Sequence, residues 1–179
     1  PMARSRFHSL EFILGAGITA VICGLVLASG WLFPDVGKID LTARLLPPFQ
    51  QSAHTFGTDP LGRDVLARVV VGGKISLTVG FVSVTGSVVL GVIMGLVAGY
   101  YRGIWDVILM RFADVQLALP FILLAITVIA VIGGSLTNTI ILLIVSQWVQ
   151  YARLVRAQVL ALREREFVLA AQAIGVKNR

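Results

Sequence analysis

Four apolar stretches, Ile13 to Phe33, Ile75 to Tyr101, Leu117 to Ile132 and Leu136 to Ala152, contain no Asp, Glu, Lys or Arg. The first two match or exceed the roughly 20 residues a helix needs to cross a hydrocarbon core, and the last two come close to it. The chain as a whole is 57% hydrophobic and 13% charged, with mean hydropathy +0.90. A soluble domain carries about twice that charged fraction, so a lipid solvent is the economical explanation for so much apolar sequence. The net charge of +6 does not indicate nucleic acid, because no basic patch is interleaved with aromatics. The charges lie between the apolar runs, as membrane topology requires. The expected fold is an all-α, polytopic transmembrane helical bundle with about four spans present.

The first run follows Arg4 and Arg6, but it is too long for a signal-peptide core, and Trp31-Leu-Phe-Pro34 is no small-residue cleavage site. An uncleaved anchor is expected. Pro1 ahead of Met2 is set aside as a cloning remnant. Cys23, the single cysteine, lies inside this anchor without metal-ligand neighbours and is read as a small lipid- or helix-facing residue. In the second run Ser83, Ser87, Gly91, Gly95 and Gly99 recur every four residues. Small residues at that spacing let two helix backbones approach closely, so this line is expected to be a packing ridge. The third run is led by Asp106, Arg111 and Asp114. Arg111 and Asp114 are spaced to pair on one helix face, and Pro120 is expected to kink the span. Gly133-Gly-Ser135 is a turn, and the fourth span should continue as a helix into Arg153 and Arg156.

With the N-terminus inside, ten of the 15 Lys and Arg residues fall on the cytoplasmic side, against Lys38, Arg44, Arg63, Arg68 and Lys74 outside. This bias favours a cytoplasmic N-terminus. The expected organisation is a cytoplasmic segment 1–12, a first span 13–33, an extracytoplasmic loop 34–74 with a short helix, three spans with short loops over 75–158, and a cytoplasmic segment 159–179. In the outer loop, Thr58-Asp59-Pro60 has the residues of a helix start, with Asp59 as cap and Pro60 at the first position. Asp64 and Arg68 are then spaced to pair.

No residue set suits acid-base, covalent or metal chemistry. His8 and His54 are the only histidines, and neither sits in a ligand-like cluster. Gly73-Lys74-Ile75-Ser76 lacks the hydroxyl residue directly after Lys that a phosphate loop requires. No catalytic or metal site is expected in this chain.

The last segment carries a different kind of signal. From Glu166 to Ile174 the residues are good helix formers, and Phe167, Ala170, Ala171 and Ile174 form one apolar stripe. Gly175 offers the left-handed conformation that ends a helix. Such a helix suits a groove on a partner; the flanking Arg163 and Arg165 would equally suit an interfacial helix on lipid headgroups.

Two motifs in this order, Gly57-Thr-Asp-Pro-Leu-Gly-Arg-Asp64 and Glu166-Phe-Val-Leu-Ala-Ala-Gln-Ala-Ile-Gly175, resemble the dipeptide/oligopeptide and nickel branch of ABC importer permeases, C-type membrane subunit. The second is similar to the family's docking ("EAA") loop. Ala170, Ala171 and Gly175 match, while Leu169 replaces the Glu, as in peptide-type versions. Met110, Arg111, Asp114 and Pro120 match a further family pattern. The resemblance implies a type I importer for di- or oligopeptides in the bacterial inner membrane, with Phe167, Ala170, Ala171, Ile174 and Gly175 docking on an ATPase. It implies as partners a homologous permease, two P-loop ATPase subunits holding ATP and Mg, an extracytoplasmic substrate-binding protein and the lipid bilayer, with no cofactor in this chain. It also implies that the fourth span lines the pathway, which makes Ser146, Gln147 and Gln150 substrate-path candidates; interhelical hydrogen bonding is the other reading. Two more spans follow the docking loop in the family, so a chain stopping at Arg179 is expected to be a fragment. A nickel-chelate permease is the nearest alternative, and a four-helix channel or scaffold the alternative of another class.

Overall fold

A computed structural model describes residues 10–52 and 54–175. The positive charges expected to orient the chain at Arg4, Arg6, Lys177 and Arg179, together with His8, lie outside them. Seven α-helices run in the order α1 (Leu10–Leu27), α2 (Ser29–Leu32), α3 (Val65–Tyr101), α4 (Gly103–Ala118), α5 (Phe121–Ile132), α6 (Leu136–Arg163) and α7 (Glu166–Ala173), with no strand among the described residues. The all-α reading of the sequence holds. By length and composition α1, α3 and α6 are each able to cross a membrane, and α4 with α5 forms a fourth, bent candidate. The chain divides into two compact units, residues 1–78 and 79–179.

In the first unit, α1 is apolar on every side and buries only Val26 among its residues. A helix without a polar face has no side to turn toward water, which is the pattern of a lipid-solvated span. The loop that follows is organised by hydrogen bonds to a few side chains. Asp59 accepts from the Leu61 N–H (2.8 Å), the Arg63 N–H (3.0 Å), Arg63 Nε (2.8 Å) and Arg68 Nη1 (2.6 Å). Burial pushes its pKa up, but the Arg63 and Leu61 N–H groups outweigh that and hold it at about 2. Thr58 Oγ1 donates to the Ala43 carbonyl and accepts from the Leu46 N–H at 2.9 Å. Gly62, at φ +73°, lies so close to the Asp40 carbonyl that any Cβ would collide with it.

Two expectations fail here. The helix expected to start at Asp59 and Pro60 begins at Val65 instead and runs without a break to Tyr101; the short helical turn within the 34–74 loop is a 3-10 turn at Leu41–Ala43. Its cap is Asp64, whose Oδ1 accepts from the Ala67 N–H at 2.8 Å. Asp64 is thereby committed to the cap and to His54 Nδ1 (2.9 Å), and Arg68 pairs with Asp59 rather than Asp64. A cap aspartate aims its carboxylate back at the first-turn amides, away from the side chain four residues on.

In the second unit, α6 is the central element. Ala113, Trp148, Val149 and Ala152 form its buried cluster, with Leu90 and Met94 packed alongside. The third apolar run is not one kinked helix. At Leu119–Pro120 it breaks, and α4 and α5 meet at 90°. The residue before a proline is pushed out of the helical region, and Leu119 is extended at φ −87°, ψ 126°. The expected Arg111–Asp114 pair is also absent: Asp114 bonds Arg153 of α6 at 2.6 Å.

Candidate functional site

The spaced small residues of α3 face α6. A Cβ on Gly91 would come to 2.5 Å from Tyr151 Cβ and 2.6 Å from the Trp148 carbonyl oxygen. One on Gly95 would come to 2.6 Å from the Ala152 carbonyl oxygen, and one on Gly99 to 2.8 Å from Val159 Cβ. Real Cβ atoms do not approach so closely, so only hydrogen fits. Ser87 is fully buried on the same line, its Oγ donating to the Ser83 carbonyl at 2.7 Å.

On another side of α6, polar contacts tie it to α4. Arg156 grips Asp106 with two bonds, Nε to Oδ1 at 2.5 Å and Nη2 to Oδ2 at 2.6 Å. Bidentate geometry of this kind fixes orientation as well as distance. Gln116 Nε2 donates to the Val145 carbonyl at 2.6 Å and the Ser146 carbonyl at 3.3 Å, while its Oε1 accepts from Trp148 Nε1 at 2.9 Å. Sequence reasoning missed Gln116. The signal was present, since an amide at the edge of an apolar run demands hydrogen-bond partners.

At its far end α6 turns into α7. Arg163 donates to the Tyr100 carbonyl and lies 5.7 Å from the Tyr100 ring centroid, while Arg102 lies 3.8 Å from Glu164. Arg102 holds φ +55°, a conformation a non-glycine residue adopts rarely. On α7, Phe167 is 66% exposed, Ala170 is exposed and Ala171 half-buried; Ile174, just past its end, is 83% exposed. Gly175 follows at φ +87° with open space around it, so its backbone conformation rather than crowding is what favours glycine there. Phe167, Ala170 and Ile174 thus form an exposed apolar line among the described residues, with Ala171 half-buried beside it.

The three path candidates do not converge. Ser146 lines a cavity of about 280 Å³ with Gln116, Leu117, Leu119, Pro120, Phe121 and Leu124. Gln147 lines a small cleft with Ser83, Ser87 and Tyr151, and Gln150 is exposed. Among the described residues no group of three His, Cys, Asp or Glu side chains comes together to hold a metal.

The apolar helices and the interlocked α3–α6 core define a multi-pass helical membrane protein. Residues 87–179, just over half of the chain, match the family described as "Binding-protein-dependent transport system inner membrane component", and the chain belongs to that family. It is 48% identical to the dipeptide transport system permease protein DppC of Alkalihalophilus pseudofirmus, over 70% of this chain and 41% of that one. It is 37% identical to the probable D,D-dipeptide transport system permease protein DdpC of Escherichia coli K12, over 99% and 63%. The nickel transport system permease protein NikC of the same strain is 40% identical over 88% and 57%. The chain therefore spans between about two fifths and two thirds of the length of these relatives.

Proposed function

We propose that this chain is part of the membrane-spanning subunit of an ATP-driven importer for di- or oligopeptides, sitting in the bacterial inner membrane with residues 34–74 outside and 153–179 in the cytoplasm. The observation that carries the coupling reading is α7: an eight-residue helix with an exposed apolar stripe, ended by a left-handed glycine and joined to α6 through a two-residue turn. That stripe suits a groove on a soluble partner, and an ATPase subunit is the partner an importer of this family would require. No residue of this chain is assigned a chemical step. ATP and Mg belong to the partner, substrate arrives from an extracytoplasmic binding protein, and a homologous permease supplies the other half of the pathway.

The peptide reading draws on the dipeptide relatives, and the nickel relative supports the competing one. Full-length protein purified with its genomic neighbours should bring a P-loop ATPase with it and take up labelled dipeptide into vesicles. Ion conduction without an ATPase would instead identify a channel. Orientation is tested by single cysteines at Lys38 and Arg163 in a Cys23→Ser background: an impermeant thiol reagent on intact cells should label position 38 and spare 163.

A further inference from the structure

The last turns of α6 are tied to the corner between α3 and α4. Arg153 bonds Asp114 at 2.6 Å, Arg156 holds Asp106 by two bonds, Val159 stands against Gly99, and Arg163 reaches Tyr100. Positions 153, 156, 159 and 163 recur every three to four residues, so the ties run along one side of the helix. Arg163, the final residue of α6, makes the outermost one. Its guanidinium donates to the Tyr100 carbonyl and lies 5.7 Å from the centroid of the Tyr100 ring. Because α3 ends at Tyr101, that carbonyl is among those a helix leaves without an internal partner, at the negative end of the helix dipole. A cation placed there meets a free acceptor, a favourable dipole and a π face together. The corner itself turns on two successive residues of positive φ, Arg102 at +55° and Gly103 at +57°. Glycine takes that region readily and arginine does not, so the surrounding contacts hold Arg102 there. Its side chain lies 3.8 Å from Glu164, the residue after Arg163. Only Glu164 and Arg165 separate α6 from α7, and their turn closes on its own hydrogen bonds: the Arg165 N–H to the Leu162 carbonyl at 3.2 Å, and the Val168 N–H to the Arg165 carbonyl at 3.0 Å. The direction of α7 therefore follows from the last turn of α6, and Arg163 fixes that turn.

We propose that Arg163 is a positioning residue: by clasping the α3–α4 corner at Tyr100 it sets the direction in which α7 leaves α6, and it makes that corner a second receiver of force on α7. The inference rests on the reading of α7 as the coupling helix and adds to it residues that lie outside α7. With the clasp closed, a load on α7 passes into α3 and α4 as well as along α6. With it open, the turn beyond Val159 is the first segment free to bend, and it yields before the load reaches Arg156 and Arg153. The Arg102–Glu164 pair is a minor part of the clasp, since two solvated side chains gain little from pairing.

The test uses the full-length protein assembled with its permease and ATPase partners in vesicles. Uptake of labelled dipeptide is measured beside ATP hydrolysis, and nitroxides on Val107→Cys of α4 and Ala173→Cys of α7, in a Cys23→Ser background, report the distance between them. Arg163→Met keeps the aliphatic stem and removes the cation. It should broaden the 107–173 distance distribution and lower uptake per ATP hydrolysed about five-fold, with the ATPase still co-purifying in wild-type amount. Arg163→Lys keeps a cation and a donor, and should recover most of that ratio. Tyr100→Leu keeps the carbonyl and loses the ring, and should cost about two-fold. Glu164→Gln should match wild type. A distribution as narrow in Arg163→Met as in wild type, or a broader one with unchanged uptake per ATP, overturns the positioning role. Loss of the bound ATPase together with uptake also overturns it, because Arg163 would then be a tie that only holds the bundle together. Gly175→Val, run in parallel, separates this from the reading of α7. Wild-type coupling in that variant overturns α7 as the coupling helix and the clasp with it; uncoupling by Gly175→Val but not by Arg163→Met overturns the clasp alone.

Discussion

Glycines serve opposite purposes in the two units of this molecule. In α1, Gly15, Gly17 and Gly24 have nothing within 4 Å of where a Cβ would stand; in α3, Gly91, Gly95 and Gly99 each stand against α6 with room only for hydrogen. The residue is the same, and both helices are apolar. Spacing separates them. The α3 glycines repeat every four residues as an unbroken line on one face, whereas in α1 Gly15 lies opposite Gly17 and Gly24, which share a face but stand two turns apart with Val21 between them. Glycine content alone says nothing about packing in a membrane helix; an unbroken line of glycines turn after turn says a second backbone is near.

The largest effect that would sharpen this contrast is at Gly95. Gly95→Leu must force apart α3 and the Ala152 and Val155 positions of α6, and overpacking of a tight core costs about 1–3 kcal/mol or more. Assembly yield on detergent gel filtration should collapse, while Gly17→Leu on α1 should assemble as wild type. Equal behaviour of the two variants would mean that the α3–α6 contact is not a stability determinant.

Next comes Gly175→Val, which changes a backbone and not a packing face. A β-branched residue strongly disfavours φ +87°, so the end of α7 should distort. Membrane levels should match wild type, and uptake should fall at least ten-fold with loss of ATPase co-purification or of its coupling. Wild-type uptake would remove α7 as the coupling element. Gly91→Ala should be milder than Gly95→Leu, lowering the apparent melting temperature by a few degrees, because a methyl still meets Tyr151 and the Trp148 carbonyl.

The smallest effect concerns the loop around Asp59. Its folded pKa of about 2 lies below the ordinary aspartate value of 3.8, so the stabilisation it provides is complete above roughly pH 3.8 and is lost as pH falls through about 2. Protease cleavage within residues 40–64 should therefore stay constant from pH 7 to 4 and rise only near pH 2. Asp59→Asn should raise it modestly at every pH, and a wild-type cleavage rate in that variant would show that Arg63 and Arg68 hold the loop without the charge.

How much of this was legible in the sequence depends on the range of the interaction. The uncharged runs located three single helices long enough to span and a bent pair as a fourth candidate, and the four-residue spacing located the face of α3, because both patterns are local and periodic. Side-chain partners were misjudged wherever a nearby residue competed with a distant one: Asp114 passes over Arg111 for Arg153, and Arg68 passes over Asp64 for Asp59. Nearness in sequence ranked the candidates, and tertiary geometry chose among them. Pro120 was recognised as a perturbation, but whether a proline bends a helix or ends it depends on what the freed backbone groups meet, and that was not local information.

The length of α6 has a mechanical consequence. Its 28 residues make a rod of about 42 Å, roughly 12 Å longer than the oily layer it would cross. In the proposed topology the surplus would leave about two turns standing clear as a stalk with α7 at its tip, a stretch held by Arg156 on Asp106 and Arg163 on Tyr100. A rod of that length amplifies angle into travel: a tilt of about 10° about one end sweeps the other through roughly 7 Å. The same lever gears motion down along its length: with the rod pivoting about its Leu136 end, a shift of about 7 Å at α7 would move the Ser146 level, about 15 Å from that pivot, by roughly 3 Å.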